Sequence, residues 1–121
     1  MAQDNPEQNK REKGIAVLTK LFGAGPGGGS MPENFAAYTV EHLFGEVWAD
    51  DTLSLEQRSM LTCAVLVALG RENEQRIHFR GAKNLGIEKE KVEAIISHVA
   101  HYAGWPVSVS AFRVLNDVWD A

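Results

Sequence analysis

The sequence predicts an all-α protein, and two observations support this prediction. Apolar residues recur at helical spacing in successive stretches separated by glycine or proline, and no two strand-like runs are joined by turn residues. A chain of 121 residues is long enough to bury one hydrophobic core. We therefore expect one domain spanning residues 1–121, with a flexible N-terminus at residues 1–10.

Two helices are expected in the first half, separated by a glycine-rich segment. The first begins near Pro6, which suits the first helical position, and ends at Gly23. Residues 23–30 fit the pattern G-x-G-x-x-G, but a helix rather than a strand precedes them and a proline interrupts them, so we interpret them as a linker. The second helix starts with Ser30 as its cap and Pro32 in its first turn. Its expected inward residues are Phe35, Ala36, Leu43, Phe44, Val47 and Trp48.

Four further helices are expected in the second half. A capping box formed by Ser54 and Gln57 opens the first of them, and residues 60–69 are apolar nearly all round, which indicates burial on several sides. Cys63 is the one cysteine in the chain, and its apolar neighbours indicate that it is buried. Gly70 ends this helix. The other three are expected at about residues 73–85, 89–103 and 107–119.

Charge and hydropathy exclude several classes of function. The formal net charge is −4, and no basic stripe is present, so we expect neither nucleic acid nor an anionic membrane as a partner. No apolar run approaches the roughly 20 residues that a membrane-spanning helix needs. The polar start lacks the apolar core of a secretory signal, so we expect a cytoplasmic protein.

One group of charged residues is spaced for joint chemistry. Arg71, Glu74 and His78 are related by i, i+3 and i+7, so they share one face of a helix. Glu74 lies one turn before His78 and favours the imidazolium, which we expect to donate a proton near neutral pH. The same spacing also fits an exposed ladder of charges without catalytic role. His98 and His101 are not joined by further ligands at standard spacing, so we expect no metal.

A series of short segments resembles one known family along almost the whole chain. The segments appear in order and with compatible spacing between about residues 11 and 119, and together they resemble the carboxymuconolactone decarboxylase family. They are Phe44-Gly45-Glu46-Val47-Trp48, residues 53–62, Ala68-Leu69-Gly70-Arg71, His78, residues 82–87 and residues 98–106.

The resemblance implies a fold and an assembly. It implies an all-helical protomer of about six helices, similar to the alkyl hydroperoxidase D proteins, in a ring-shaped homo-oligomer, a hexamer or a trimer. It also implies that His78 is a site histidine. In the thiol branch of the superfamily a Cys-x-x-Cys pair precedes this histidine, whereas Arg71 and Glu74 stand at the equivalent positions here. Thiol-based peroxide reduction is not expected, because the sequence has no second cysteine thiol to resolve a sulfenic acid.

The decarboxylase branch of the family implies a reaction. It converts 4-carboxymuconolactone, a carboxylate substrate from protocatechuate breakdown, into 3-oxoadipate enol-lactone and carbon dioxide, without metal or organic cofactor. We expect Arg58 and Arg71 to bind the substrate carboxylates and His78 to donate to the oxyanion or to carbon. The expected catalytic residues are His78, Glu46 and Arg58, and the expected substrate-binding residues are Arg71, Glu74, Trp48, Tyr102 and Trp105.

Alternatives remain open for these residues and for the protein. Glu46 orients His78 or relays a proton, or it is a solvated helix residue. Trp48 and Trp105 exclude water from the site, or they pack in a core or an interface. Arg58 binds substrate or pairs with a nearby carboxylate. The whole protein is alternatively a lyase or isomerase acting on another carboxylated lactone or vinylogous keto acid, or a non-catalytic oligomeric binding or scaffold protein.

Overall fold

The computed structural model describes residues 5–27 and 29–121, and every regular element within them is a helix. The prediction of an all-α fold is confirmed. The elements are α1 (Pro6–Phe22), α2 (Glu33–Ala37), a π-helix (Tyr38–Trp48), α3 (Leu55–Ala68), α4 (Glu72–Asn84), α5 (Lys89–Ala103) and α6 (Trp105–Trp119). No helix formed by the described residues has the length and apolar character needed to cross a membrane.

The chain divides into two compact units, residues 1–55 and residues 56–121, and each is described by itself. That these residues act as one domain stays a prediction. Residues 1–4 of the predicted flexible N-terminus lie outside the described residues, and residues 6–10 form the first turns of α1. That residues 1–10 are flexible stays a prediction. Within the predicted linker, residue 28 is likewise outside the described residues, and its described neighbours form neither helix nor strand.

The ends of α1 follow from two local signals. The Oδ1 of Asn5 accepts hydrogen bonds from the backbone N–H groups of Glu7 and Gln8 at 3.0 and 3.3 Å, which satisfies donors that the first turn leaves unpaired. Gly23 ends the helix with a φ of 79°, a left-handed conformation that glycine adopts without steric cost. The predicted beginning at Pro6 and end at Gly23 are confirmed.

The second predicted helix is two elements with a different inward face. α2 begins at Glu33 after Pro32, so Ser30 is not its cap. From Tyr38 the chain winds as a π-helix, in which hydrogen bonds join residues five apart and each turn is wider. Ordinary helical periodicity therefore predicted the wrong inward residues at Leu43 and Val47, which lie in the π-helix. Phe44 and Trp48 are buried as expected, whereas Phe35, Ala36, Leu43 and Val47 are exposed.

α1 and the π-helix approach each other at two glycines. A Cβ at Gly14 would lie 1.9 Å from the carbonyl oxygen of Val40, and a Cβ at Gly45 would lie 2.1 Å from the carbonyl oxygen of Lys10. Both distances are far below van der Waals contact, so the absence of a side chain is what permits this crossing. The buried apolar residues of this unit are Val17, Leu18, Leu21, Val40, Phe44 and Trp48.

We expect Gly14→Ala to destabilise the first unit by about 1–3 kcal/mol, the usual cost of forcing extra volume into a packed contact. The neighbour is backbone, which has little freedom to move. Gly27→Ala is the control, because no atom of the described residues lies within 4 Å of its built Cβ. Urea unfolding measures both variants, and equal midpoints for the two would contradict the proposed close approach.

The core of the second unit is built around Phe79 of α4, which is fully buried. α6 packs on both α4 and α5. α5 has the predicted bounds, α4 is offset from its prediction by one residue, and α6 begins two residues earlier than predicted. The other members of this core are Cys63, Val67, Ala82, Ile87, Val92, Ile96, Val99, Ala111, Val114, Leu115, Val118 and Trp119.

α3 contributes only one stripe to this core. Ser59, Cys63 and Val67, each four residues apart, are buried, which confirms the prediction for the cysteine. The prediction that residues 60–69 are buried on several sides is wrong, because a second apolar stripe of the same helix remains exposed. Leu61 and Val65 of α3 are 55% and 54% exposed, and Leu69, which follows the last residue of α3, continues the stripe and is 68% exposed.

Candidate functional site

The junction between α3 and α4 fixes the position of Arg71. Gly70 has a φ of 68°, its N–H donates to the carbonyl of Val67 at 3.0 Å, and the N–H of Arg71 donates to the carbonyl of Leu66 at 2.9 Å. These paired bonds are the Schellman arrangement that closes a helix. Arg71 is both the last residue of this motif and the residue that precedes α4. Its backbone is therefore tied to α3.

Arg71, Glu74 and His78 form the candidate site, which we call the site face of α4. The Nη2 of Arg71 donates to the Oε1 of Glu74 at 3.0 Å. This hydrogen bond lowers the pKa of the Glu74 carboxyl. The Arg71 side chain is 61% exposed, so an incoming anion has access to it. The site face thus presents a cation, a carboxylate and an imidazole along successive turns.

His78 is half-buried, and its burial determines its charge. Desolvation lowers the pKa of the imidazole below its ordinary value, while the charge of Glu74 raises it by a smaller amount. Burial therefore outweighs Glu74 and favours the neutral imidazole over the expected imidazolium, although the predicted influence of Glu74 has the right sign. At neutral pH the free protein carries a neutral imidazole that can still donate one ring N–H.

The lowered pKa of His78 predicts how stability depends on pH. The unfolded state binds the proton of His78 more readily than the folded state does. The contribution of His78 to the free energy of unfolding is therefore complete above the unfolded pKa of about 6.5 and is lost as the pH falls towards the folded pKa. We expect His78→Gln to lose less unfolding free energy than the wild type between about pH 7.5 and about pH 5.5. Urea unfolding at the two pH values measures this, and an identical loss in both proteins would contradict it.

Arg58 lies in the same unit as the site face. It belongs to the first turns of α3, is partly buried, and its carbonyl accepts a hydrogen bond from the Oγ1 of Thr62 at 2.8 Å. Its assignment as a ligand for a substrate carboxylate stays a prediction.

Glu46 and Trp48 belong to the first unit. Glu46 contacts the Nδ1 of His42 at 3.2 Å and the Nζ of Lys10 at 3.5 Å, and the hydrogen bond with His42 is the main reason that the pKa of its carboxyl is lowered. Trp48 is buried and its ring lies 5.6 Å from that of Phe44, which favours a core role. That Glu46 orients His78 stays a prediction. Sequence reasoning missed His42, although it lies four residues before Glu46.

Tyr102 and Trp105 lie where α5 ends and α6 begins, and both are exposed, by 82% and 64%. The ring of His98 lies 5.0 Å from that of Tyr102, and the ring of His101 lies 5.6 Å from that of Trp105. Their expected role in excluding water stays a prediction. Within residues 5–27 and 29–121, no group of three or more His, Cys, Asp or Glu residues is arranged to hold a metal ion.

Comparison with known proteins extends these observations. The model of the carboxymuconolactone decarboxylase family matches residues 33–117. The chain is 32% identical over 119 residues to 4-carboxymuconolactone decarboxylase of Acinetobacter baylyi, covering 93% of this chain and 89% of that protein. It is 31% identical over 85 residues to nitrosuccinic acid decarboxylase of Metarhizium robertsii, covering 67% and 59% of the two chains. The chain therefore belongs to the carboxymuconolactone decarboxylase family.

Proposed function

We propose that the protein is a carboxy-lyase that converts 4-carboxymuconolactone into 3-oxoadipate enol-lactone without a cofactor. The observation that carries the proposal is the 32% identity, over 93% of the chain, to an enzyme named for that substrate. The site face of α4 supports it, because its guanidinium and imidazole are the groups that such a reaction requires.

The chemistry of this substrate explains why side chains alone suffice. The leaving carboxylate is attached to the saturated ring carbon next to a carbon–carbon double bond, and that double bond is conjugated with the lactone carbonyl. When its carbon–carbon bond breaks, the electron pair enters a dienolate whose charge spreads onto the lactone oxygens. A proton then bonds to the carbon next to the lactone carbonyl, so each turnover releases one carbon dioxide and consumes one proton. The protein must bind the carboxylates, stabilise the oxyanion and deliver the proton.

The residues divide these tasks. Arg71 binds one substrate carboxylate in place of Glu74, and Arg58 binds another. His78 is neutral in the free protein, but a dianion bound beside it raises the pKa of the imidazole by charge attraction. The histidine therefore takes up a proton when the substrate binds and returns it to carbon after carbon dioxide has left.

The second relative favours a second candidate substrate, nitrosuccinate. Both molecules contain a succinate unit in which the leaving carboxylate shares its carbon with an electron-accepting group. The acceptor is the unsaturated lactone in one and the nitro group in the other. The second carboxylate, on the adjacent carbon, is retained and is available to a guanidinium. We therefore propose 2-substituted succinates carrying such an acceptor as the substrate class.

The proposal includes a cytoplasmic homo-oligomer, a hexamer or a trimer. Support for an assembly comes from the exposed apolar residues Leu61 and Val65 of α3 and Leu69 directly after it, because exposed apolar surface of this kind is typical of a surface that another protein covers. In the proposed homo-oligomer, a second copy of the chain covers these apolar residues.

The test is a side-by-side incubation with 4-carboxymuconolactone and nitrosuccinate, following carbon dioxide and proton consumption. We expect the first substrate to release one carbon dioxide per proton consumed. If carbon dioxide were released from nitrosuccinate and not from 4-carboxymuconolactone, nitrosuccinate would replace 4-carboxymuconolactone as the proposed substrate. Release from neither would contradict the proposal and leave a different lyase or isomerase, or a non-catalytic binding protein, as the remaining functions.

A further inference from the structure

Gln75 is fully buried, although it lies between Glu74 and His78 in α4. Its Nε2–H donates to the carbonyl of Leu66 in α3 at 3.1 Å, and the backbone N–H of Arg71 donates to the same oxygen at 2.9 Å. The backbone N–H of Gln75 in turn donates to the carbonyl of Arg71 at 2.9 Å. These three hydrogen bonds connect the end of α3, Arg71 and the first turn of α4.

Core stability does not explain a glutamine at this position. The Leu66 carbonyl already accepts the N–H of Arg71, so it needs no second donor. The Oε1 of Gln75 is buried and accepts no hydrogen bond from the described residues, which costs about 1–3 kcal/mol of unfolding free energy. An apolar side chain of equal length would avoid this cost. What the glutamine adds is a fixed distance between α4 and α3 next to Arg71.

We infer that Gln75 is a positioning residue, which fixes the rotation and register of α4 on α3 and so holds Arg71 and His78 in place for the reaction. The Sγ of Cys63 also donates to the carbonyl of His78, but at 3.7 Å and from a weak donor. The hydrogen bond from the side-chain amide of Gln75 to the carbonyl of Leu66 is shorter and stronger than this thiol contact. The inference rests on the proposed function, since these two residues act in the reaction only if that function holds.

Gln75→Met tests the inference because it removes the donor and keeps the length of the side chain. We expect kcat to fall about 10- to 100-fold, as small displacements of reacting groups do, with a smaller change in KM and an unfolding midpoint at or above that of the wild type. Ser108→Ala is the matched control. It removes a buried side-chain bond of the same kind, from the Oγ of Ser108 to the carbonyl of Ile96 at 2.8 Å, and leaves kcat unchanged.

Gln75→Glu provides a second variant in case the methionine does not fold. Its carboxyl donates to the Leu66 carbonyl only when protonated, so we expect kcat relative to the wild type to recover as the pH falls. A kcat equal to that of the wild type in Gln75→Met, or a pH-independent kcat ratio in Gln75→Glu, would overturn the inference.

A readout without substrate separates this inference from the proposed function. The imidazole of His78, followed by ¹⁵N NMR, reports how firmly α4 is held. In Gln75→Met we expect the pKa of His78 to rise towards its ordinary value, because a displacement of α4 exposes the imidazole to water, whereas Ser108→Ala leaves it unchanged. If the wild type decarboxylated neither substrate, the proposed function would fail while this titration still decided the positioning role. An unchanged His78 titration in Gln75→Met would overturn it.

Discussion

His78→Gln lowers kcat/KM for 4-carboxymuconolactone by about 10²- to 10⁴-fold, the range that a positioned acid or base contributes. Glutamine keeps a hydrogen-bond donor of similar reach but cannot take up and release a proton at neutral pH. The loss should appear mainly in kcat, because proton delivery to carbon occurs after binding. Steady-state assays of carbon dioxide release measure it.

Arg80→Gln is the control for this experiment. It places the same residue on an exposed position of α4, two residues further along the helix, and we expect wild-type kcat. Full turnover by His78→Gln, with folding intact, would show that the proton comes from another group and that the site face is wrongly assigned.

Arg71→Met raises KM by about 10- to 100-fold, which corresponds to losing a charge-assisted hydrogen bond of about 1.5–3 kcal/mol.

Glu74→Gln has the opposite effect on KM. It removes the carboxylate that occupies the guanidinium at 3.0 Å in the free protein, so the substrate no longer displaces a competitor. It also removes the charge that raises the pKa of His78, so the histidine is protonated only at lower pH.

Arg76→Met is the matched control for the arginine. Arg76 lies on α4 and, like Arg71, is ion-paired, through its Nη2 to the Oδ2 of Asp117 at 3.3 Å, but it does not share the site face. Steady-state kinetics of the three variants measure the effect. An equal rise in KM for both arginine variants would indicate a general charge effect and would contradict a specific carboxylate ligand.

Glycines made the ends of several helices predictable from the sequence. Gly23, Gly70 and Gly86 each have a positive φ at a helix end, and the sequence placed a helix end at each of them. The π-helix was not predictable from ordinary periodicity, because its winding moves Leu43 and Val47 to the surface. The exposed apolar stripe of α3 was not predictable either, since composition alone does not reveal which apolar residues of a helix face the core of the protomer.

For the residues of the candidate site, which stays a prediction, the spacing was predictable from the sequence but the electrostatics were not. The i, i+3 relation placed Arg71 against Glu74, and the structure confirms that contact. Burial of His78 depends on how α4 packs, so the dominant influence on its pKa lay beyond helical spacing. Gln75 was missed for a similar reason. Its role depends on the carbonyl of Leu66, nine residues earlier, which is brought near only when Gly70 reverses the chain.

The protonation state of His78 in complex with methylsuccinate is the most direct test of the site. This 2-substituted succinate lacks an electron-accepting group, so it should bind without losing carbon dioxide. We predict that saturating methylsuccinate raises the pKa of the His78 imidazole, seen by ¹⁵N NMR as conversion from the neutral to the charged ring at constant pH, and that Arg71→Met weakens this response. Binding of methylsuccinate with no change at His78 would contradict the assignment of the site face as the place where the substrate carboxylates and the transferred proton meet.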